Sequence, residues 1–187
     1  MTTLIQRAME PVPGCASRIA GLFLAQLDDQ TRRFTTATRD LTVEELEWQP
    51  APGQNTIGML IAHIARTEVD WICLGLLNRP MNQHDTLPIT DEEIGMPLPP
   101  DGVASAVLRG KPLAYYDELL ATARAFAKAA VAPLTDEAFE KRFRIPWDQD
   151  ELEGTPSFVI SHLTGHFALH RGQIALLRHQ YRDRANA

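Results

Sequence analysis

Residues 155–181 read TPSFVISHLTGHFALHRGQIALLRHQY. Thr155 offers the side-chain oxygen an N-cap needs, and Pro156 suits a first helical position, where its missing N–H costs nothing. Val159, Leu163, Phe167, Ile174 and Leu177 then recur at separations of three, four and seven, the period of one helix face. A single long amphipathic helix is predicted, running from Pro156 to about Tyr181.

Three more stretches carry that period. Over 16–39 the apolar positions are Ile19, Phe23, Leu27 and Phe34, with Gln26, Asp29, Arg32 and Arg33 between them. Over 56–78, Ile57, Leu60, Ile61, Ile64, Ile72 and Leu76 make a broad apolar stripe, with Asn55 as N-cap and Pro80 closing it. A third covers about 105–131, its start interrupted by Gly110 and Pro112 and its body rich in Ala and Leu. Between the first two, LTVEELEWQPAPGQN (41–55) reads as a short turn opened by a Thr42/Glu45 capping box and stopped by Pro50, Pro52 and Gly53. Residues 80–104, rich in Pro, Asp and Gly, form a long connection of the kind that is functional or mobile, with one helical turn after Thr90. Thr135 to Phe139 reads as another turn, FRIPW (143–147) as a short extended piece and 148–154 as an acidic loop. Four long helices and almost no strand signal give an all-α four-helix bundle with a long loop between its second and third helices.

The 24 acidic and 18 basic residues leave a net charge of −6, and 44% of the chain is hydrophobic. This is the composition of one globular domain, expected over 1–187 with 1–14 as an N-terminal arm. The acidic balance disfavours nucleic acid and anionic lipid, which select a basic face. No apolar run reaches the length of a membrane span. MTTLIQRAMEPVPG reads as neither a signal nor a transit peptide, so a cytoplasmic location is expected. Cys15 and Cys73 lie far apart without CxxC spacing, which argues against a disulfide framework or a thiolate zinc site.

The six histidines are unevenly placed. His162, His166 and His170 stand four apart on the last helix. Residues four apart share a helix face at about 5–6 Å between Cβ atoms, close enough for two imidazoles to share a metal. His166 and His170 form that pair, and His162 is displaced around the helix. Apolar neighbours aim the pair at the interior, where each ring nitrogen needs a partner. Hydrogen bonds to core carbonyls or acids would also serve. His63 sits among Met59, Leu60, Ile64 and Thr67, and on its own context reads as a core histidine. His84 falls in the proline-rich loop, and His179 suits the negative end of a helix. Trp71 and Trp147 read as core or interface anchors before pocket walls.

LTVEELEWQPAPGQNTIGMLIAHIARTE (41–68) and HLTGHFALHRGQIALL (162–177) together resemble the DinB-like superfamily, which includes families classed as metal-dependent hydrolases. The resemblance spans about 16–181. It implies an antiparallel bundle of the DinB type, frequent homodimers, and His63, His166 and His170 as ligands of one divalent metal ion. Three neutral imidazoles suit zinc, nickel, iron or copper, with zinc or nickel favoured, and three protein ligands leave a position for water or substrate. His162, Gln173 and Asp70 are candidates for orienting a ligand or bound water from behind. Arg171 points away around the helix, toward an acid or the rim of the site. The resemblance implies an enzyme that activates a thiol or water against a small-molecule substrate, thiol S-transferase-like or hydrolase-like. A low-molecular-weight thiol would be its cosubstrate. The alternative is a non-catalytic metal- or small-ligand-binding, stress-associated dimer. A Ser-His-Asp hydrolase is disfavoured by the lack of a GxSxG elbow and of strands.

Overall fold

A computed structural model describes residues 8–81, 85–147 and 149–184, with the Trp147 side chain outside that description. His84 and the first half of the expected arm therefore lie outside the described residues. The fold is mostly helical. Four long helices, α1 (Arg18–Thr38), α3 (Ile57–Gly75), α5 (Leu113–Val131) and α7 (Pro156–Asp183), alternate with the short helices α2 (Val43–Glu47), α4 (Asp91–Ile94) and α6 (Asp136–Glu140). α3 packs on α5 and α7, and α1 packs on α7 and α5.

Local chemistry sets the boundaries. Thr155 caps α7 through Phe158 N, with Pro156 in its first turn. Thr42/Glu45 and Thr90/Glu93 both form complete capping boxes. Two boundaries differ from the sequence expectation. Thr56, not Asn55, caps α3, its hydroxyl accepting from Met59 N. The third long helix starts at Leu113 rather than near Ser105, because Gly110 takes a left-handed φ of 69° and Pro112 supplies the first turn's boundary.

The acidic stretch expected to be a loop is a strand. β1 (Phe143–Trp147) pairs antiparallel with β2 (Asp150–Gly154) in the register Arg144↔Glu153 and Ile145↔Leu152. Glu153 has cross-strand cationic partners: Arg144 Nε lies 2.7 Å away and Arg142 bonds its other oxygen. Opposed charges on one face and Ile145 against Leu152 on the other stabilise the hairpin.

The 76–112 connection is anchored to the body. Leu87, Ile89, Ile94 and Leu108 are buried in the main core with Phe34, Leu46, Ile64, Tyr116 and Phe167. Gln49 pins it further, donating to Gly102 O at 2.9 Å and accepting from Ala104 N at 3.0 Å. At the other end, Pro11 and Val12 of the expected arm lie against Gly21 of α1.

α3 is the central element. Every one of its residues is buried except His63 and Thr67. Gly58 shows how closely neighbours approach it: a Cβ there would collide with the Tyr116 hydroxyl and press on Leu46 O. Gly58→Ala is expected to cost about 1–3 kcal/mol through overpacking, read as a lower urea midpoint, with the Tyr116 to Leu108 O hydrogen bond (3.2 Å) disturbed first.

Candidate metal centre

His63 and Thr67 stand one turn apart on the only strip of α3 that is not buried. α7 crosses that strip and sets His166 and His170 opposite His63. His63 Nε2 lies 3.1 Å from His166 Nε2, and His166 Nε2 lies 2.9 Å from His170 Nε2. One nitrogen from each ring falls within 4.8 Å of the other two. His170 is buried, while His63 and His166 are half-buried, so the cluster has an inner wall and an outer opening.

Burial, reinforced by repulsion from His170, lowers the His63 pKa to about 4. Burial and the surrounding imidazoles lower that of His166 to about 3. His170 is pushed down by burial, partly offset by its bond to Gln173. The three rings are therefore neutral at pH 7. Unfolded imidazoles titrate near about 6.5, so the unfolded chain takes up protons that the native chain refuses. The metal-free protein is thus expected to hold constant stability above about pH 6.5 and lose it progressively toward about pH 4. Urea midpoints of chelator-treated protein across that range check this.

With all three imidazoles neutral, one N–H has to be shared among the three facing nitrogens. His170 Nδ1 lies 2.6 Å from Gln173 Oε1, an acceptor, so Nδ1 carries the proton and Nε2 is a bare lone pair. If His166 Nε2 is also bare, two lone pairs face each other at 2.9 Å. If it is protonated, its single N–H points between two neighbours. A cation that accepts all three lone pairs removes the conflict. A tetrahedral ion bound at about 2.0–2.1 Å separates its nitrogen ligands by about 3.3–3.4 Å, close to the spacing here. The donor set fits a divalent metal ion.

The other predicted residues are dispersed around this cluster. Gln173 touches His170 directly. His162 packs at a tilt against Trp71 (4.5 Å between centroids) and stacks on His166 (5.7 Å), making a side wall outside the three-nitrogen cluster. Trp71 is buried in a separate apolar cluster with Ile72, Phe139 and Val159 and also supports His162. Asp70 is buried with its carboxylate 3.3 Å from Arg66 Nε, and its charge acts on His63 by raising its pKa against the other causes. Arg66 also reaches Asp91 Oδ2 at 3.3 Å, linking α3 to α4. Thr67, which sequence reasoning treated only as a neighbour, places its hydroxyl 3.4 Å from His63 Nδ1. Its position one turn after His63 was the available signal. Both cysteines are free, and burial pushes the Cys73 thiol pKa up, so it is not an activated nucleophile.

A family model described as the DinB superfamily matches residues 26–174. The chain belongs to the DinB superfamily. Among solved structures, this DinB chain is similar to a conserved protein of Enterococcus faecalis, with a TM-score of 0.59 and 20% sequence identity. The match covers 87% of this chain and 96% of that one. At that identity the likeness shows a shared fold. No curated protein matches the DinB chain. Among its described residues no helix is long and apolar enough to cross a membrane.

Proposed function

We propose that this DinB protein is a metal-dependent enzyme whose single divalent ion, zinc or nickel, is held by His63, His166 and His170. The four long helices are read as an antiparallel four-helix bundle carrying the site on α3 and α7. The observation that carries the proposal is the meeting of three neutral imidazole nitrogens at one half-open point. When bound, such an ion lowers the pKa of a coordinated thiol or water and so supplies a nucleophile at neutral pH. The protein residues do the rest. Gln173 fixes the tautomer of His170 so that Nε2 faces inward. Trp71, through His162, keeps the α7 side of the site apolar. Thr67 and the exposed edges of His63 and His166 form the side open to a small electrophile, with a low-molecular-weight thiol as cosubstrate. Free Cys15 and Cys73 accord with a reducing, cytoplasmic setting, and the net charge of −6 with a partner other than nucleic acid.

The test is turnover of chlorinated aromatic and epoxide probes by the metal-loaded protein, with a panel of small thiols and with water alone. Thiol-dependent or hydrolytic turnover that disappears on chelation and returns with metal is expected. Metal bound without turnover of any probe would favour a storage or binding role. Turnover unchanged by full metal removal would contradict metal-activated attack.

A further inference from the structure

Threonines inside the long helices turn their hydroxyls back on the chain. Thr31, Thr36, Thr38 and Thr164 each donate to the carbonyl four residues earlier, at 3.0, 2.9, 3.0 and 2.8 Å. Thr67 does otherwise. Its Oγ1 stands beside the His63 ring, 3.4 Å from Nδ1 and 3.5 Å from Nε2. Both contacts are longer than the usual range of about 2.7–3.2 Å, so neither commits the hydroxyl strongly. Half-buried Thr67 shares with His63 the one strip of α3 that is not walled in. One turn further along α3, Trp71 packs against His162, which stacks on His166. The hydroxyl therefore stands between the His63 ring and an aromatic wall, on the half-open side of the three-nitrogen cluster. Packing gives no reason for it there, since valine has the same branched shape.

We propose that the Thr67 hydroxyl donates a hydrogen bond to the nucleophile held at the fourth position of the His63/His166/His170 centre, a thiolate or hydroxide, and so orients it toward the electrophile. This rests on the metal reading above. With the His63 Nε2 lone pair turned inward toward His166, Nδ1 carries the ring proton. Oγ1 can only accept from that N–H, and the hydroxyl hydrogen is left to turn toward the open side. An anionic sulfur or oxygen presents lone pairs and needs a donor. The imidazole N–H groups of the ligands point outward, that of His170 at Gln173, so Thr67 supplies a donor that the ligands do not. A hydrogen bond to a charged acceptor is stronger than one between neutral groups, and more so beside an apolar wall. No covalent bond changes at Thr67. Its proton stays on Oγ1, and another lone pair of the nucleophile remains free to attack.

The full chain loaded with cobalt(II) and titrated with 2-mercaptoethanol tests this, with binding read from sulfur-to-cobalt charge-transfer absorption. Thr67→Val is expected to bind the thiol about tenfold more weakly than the unsubstituted protein. Thr67→Ser should bind it as tightly as the unsubstituted protein, and all three should bind cobalt equally. Equal thiol affinity in Thr67→Val would overturn the proposal. A loss of cobalt affinity as large as the loss of thiol affinity would also overturn it, because Thr67 would then only support the His63 ring. Cobalt bound equally well by His166→Ala/His170→Ala would instead overturn the three-histidine reading, and the role of Thr67 with it.

Discussion

Glu68→Ala is expected to destabilise the fold by about 3–5 kcal/mol. Glu68 and Arg124 are 2% and 6% exposed. Arg124 donates to both carboxylate oxygens, Nε at 2.7 Å and Nη2 at 3.0 Å, and its Nη1 donates to Thr31 at 2.7 Å. The Thr31 hydroxyl in turn donates to Leu27 O at 3.0 Å. One guanidinium thus ties α5 to α3 and α1. Removing the carboxylate leaves a buried cation without its counter-charge, and its desolvation cost then stands uncompensated. A Glu68→Met/Arg124→Leu double variant is expected to lose far less, because neither charge is left alone. Urea unfolding decides this: the midpoint should fall sharply for Glu68→Ala and modestly for the pair, with slopes unchanged.

His166→Ala/His170→Ala is expected to weaken metal binding by more than about two orders of magnitude. Loss of a group that only supports a ligand already costs about 10–100-fold, and this variant loses two of the three proposed ligands. The same variant separates binding from folding. In the unsubstituted protein, added zinc or nickel should raise the unfolding midpoint, since an ion present at about 100 times its Kd adds about 2.7 kcal/mol. In the variant the same addition should leave it unmoved. The metal-free variant should also lose less stability than the metal-free parent between about pH 6.5 and pH 4, because two of the imidazoles that resist protonation are gone.

The sequence carried the helices in its periodicity, and the caps at Thr42 and Thr155 and the helical turn after Thr90 were legible because capping chemistry is local. The His166/His170 pair was legible for the same reason, since four residues along one helix fix a geometry without tertiary knowledge. His63 was not legible from its own context. Its distinction is that the rest of α3, Thr67 apart, is buried, which depends on α5, α7 and the anchored 76–112 connection surrounding that helix. The buried charges were hidden likewise. Glu68 and Arg124 stand 56 residues apart, and nothing in either neighbourhood announces the partner. Asp150–Gly154 read as a loop because acidic residues disfavour strands. The arginines opposite them supplied the compensation, and pairing of that kind appears only once register is known.

X-ray absorption at the edge of zinc or nickel, on metal-loaded full-length protein, tests the central claim most directly. Three imidazole nitrogens at about 2.0–2.1 Å, completed by a water oxygen or an added thiol sulfur, are predicted. The imidazole count should fall to two in His63→Ala. A first shell that is unchanged by that substitution, or one built from oxygens with fewer than three imidazoles, would contradict the three-histidine centre.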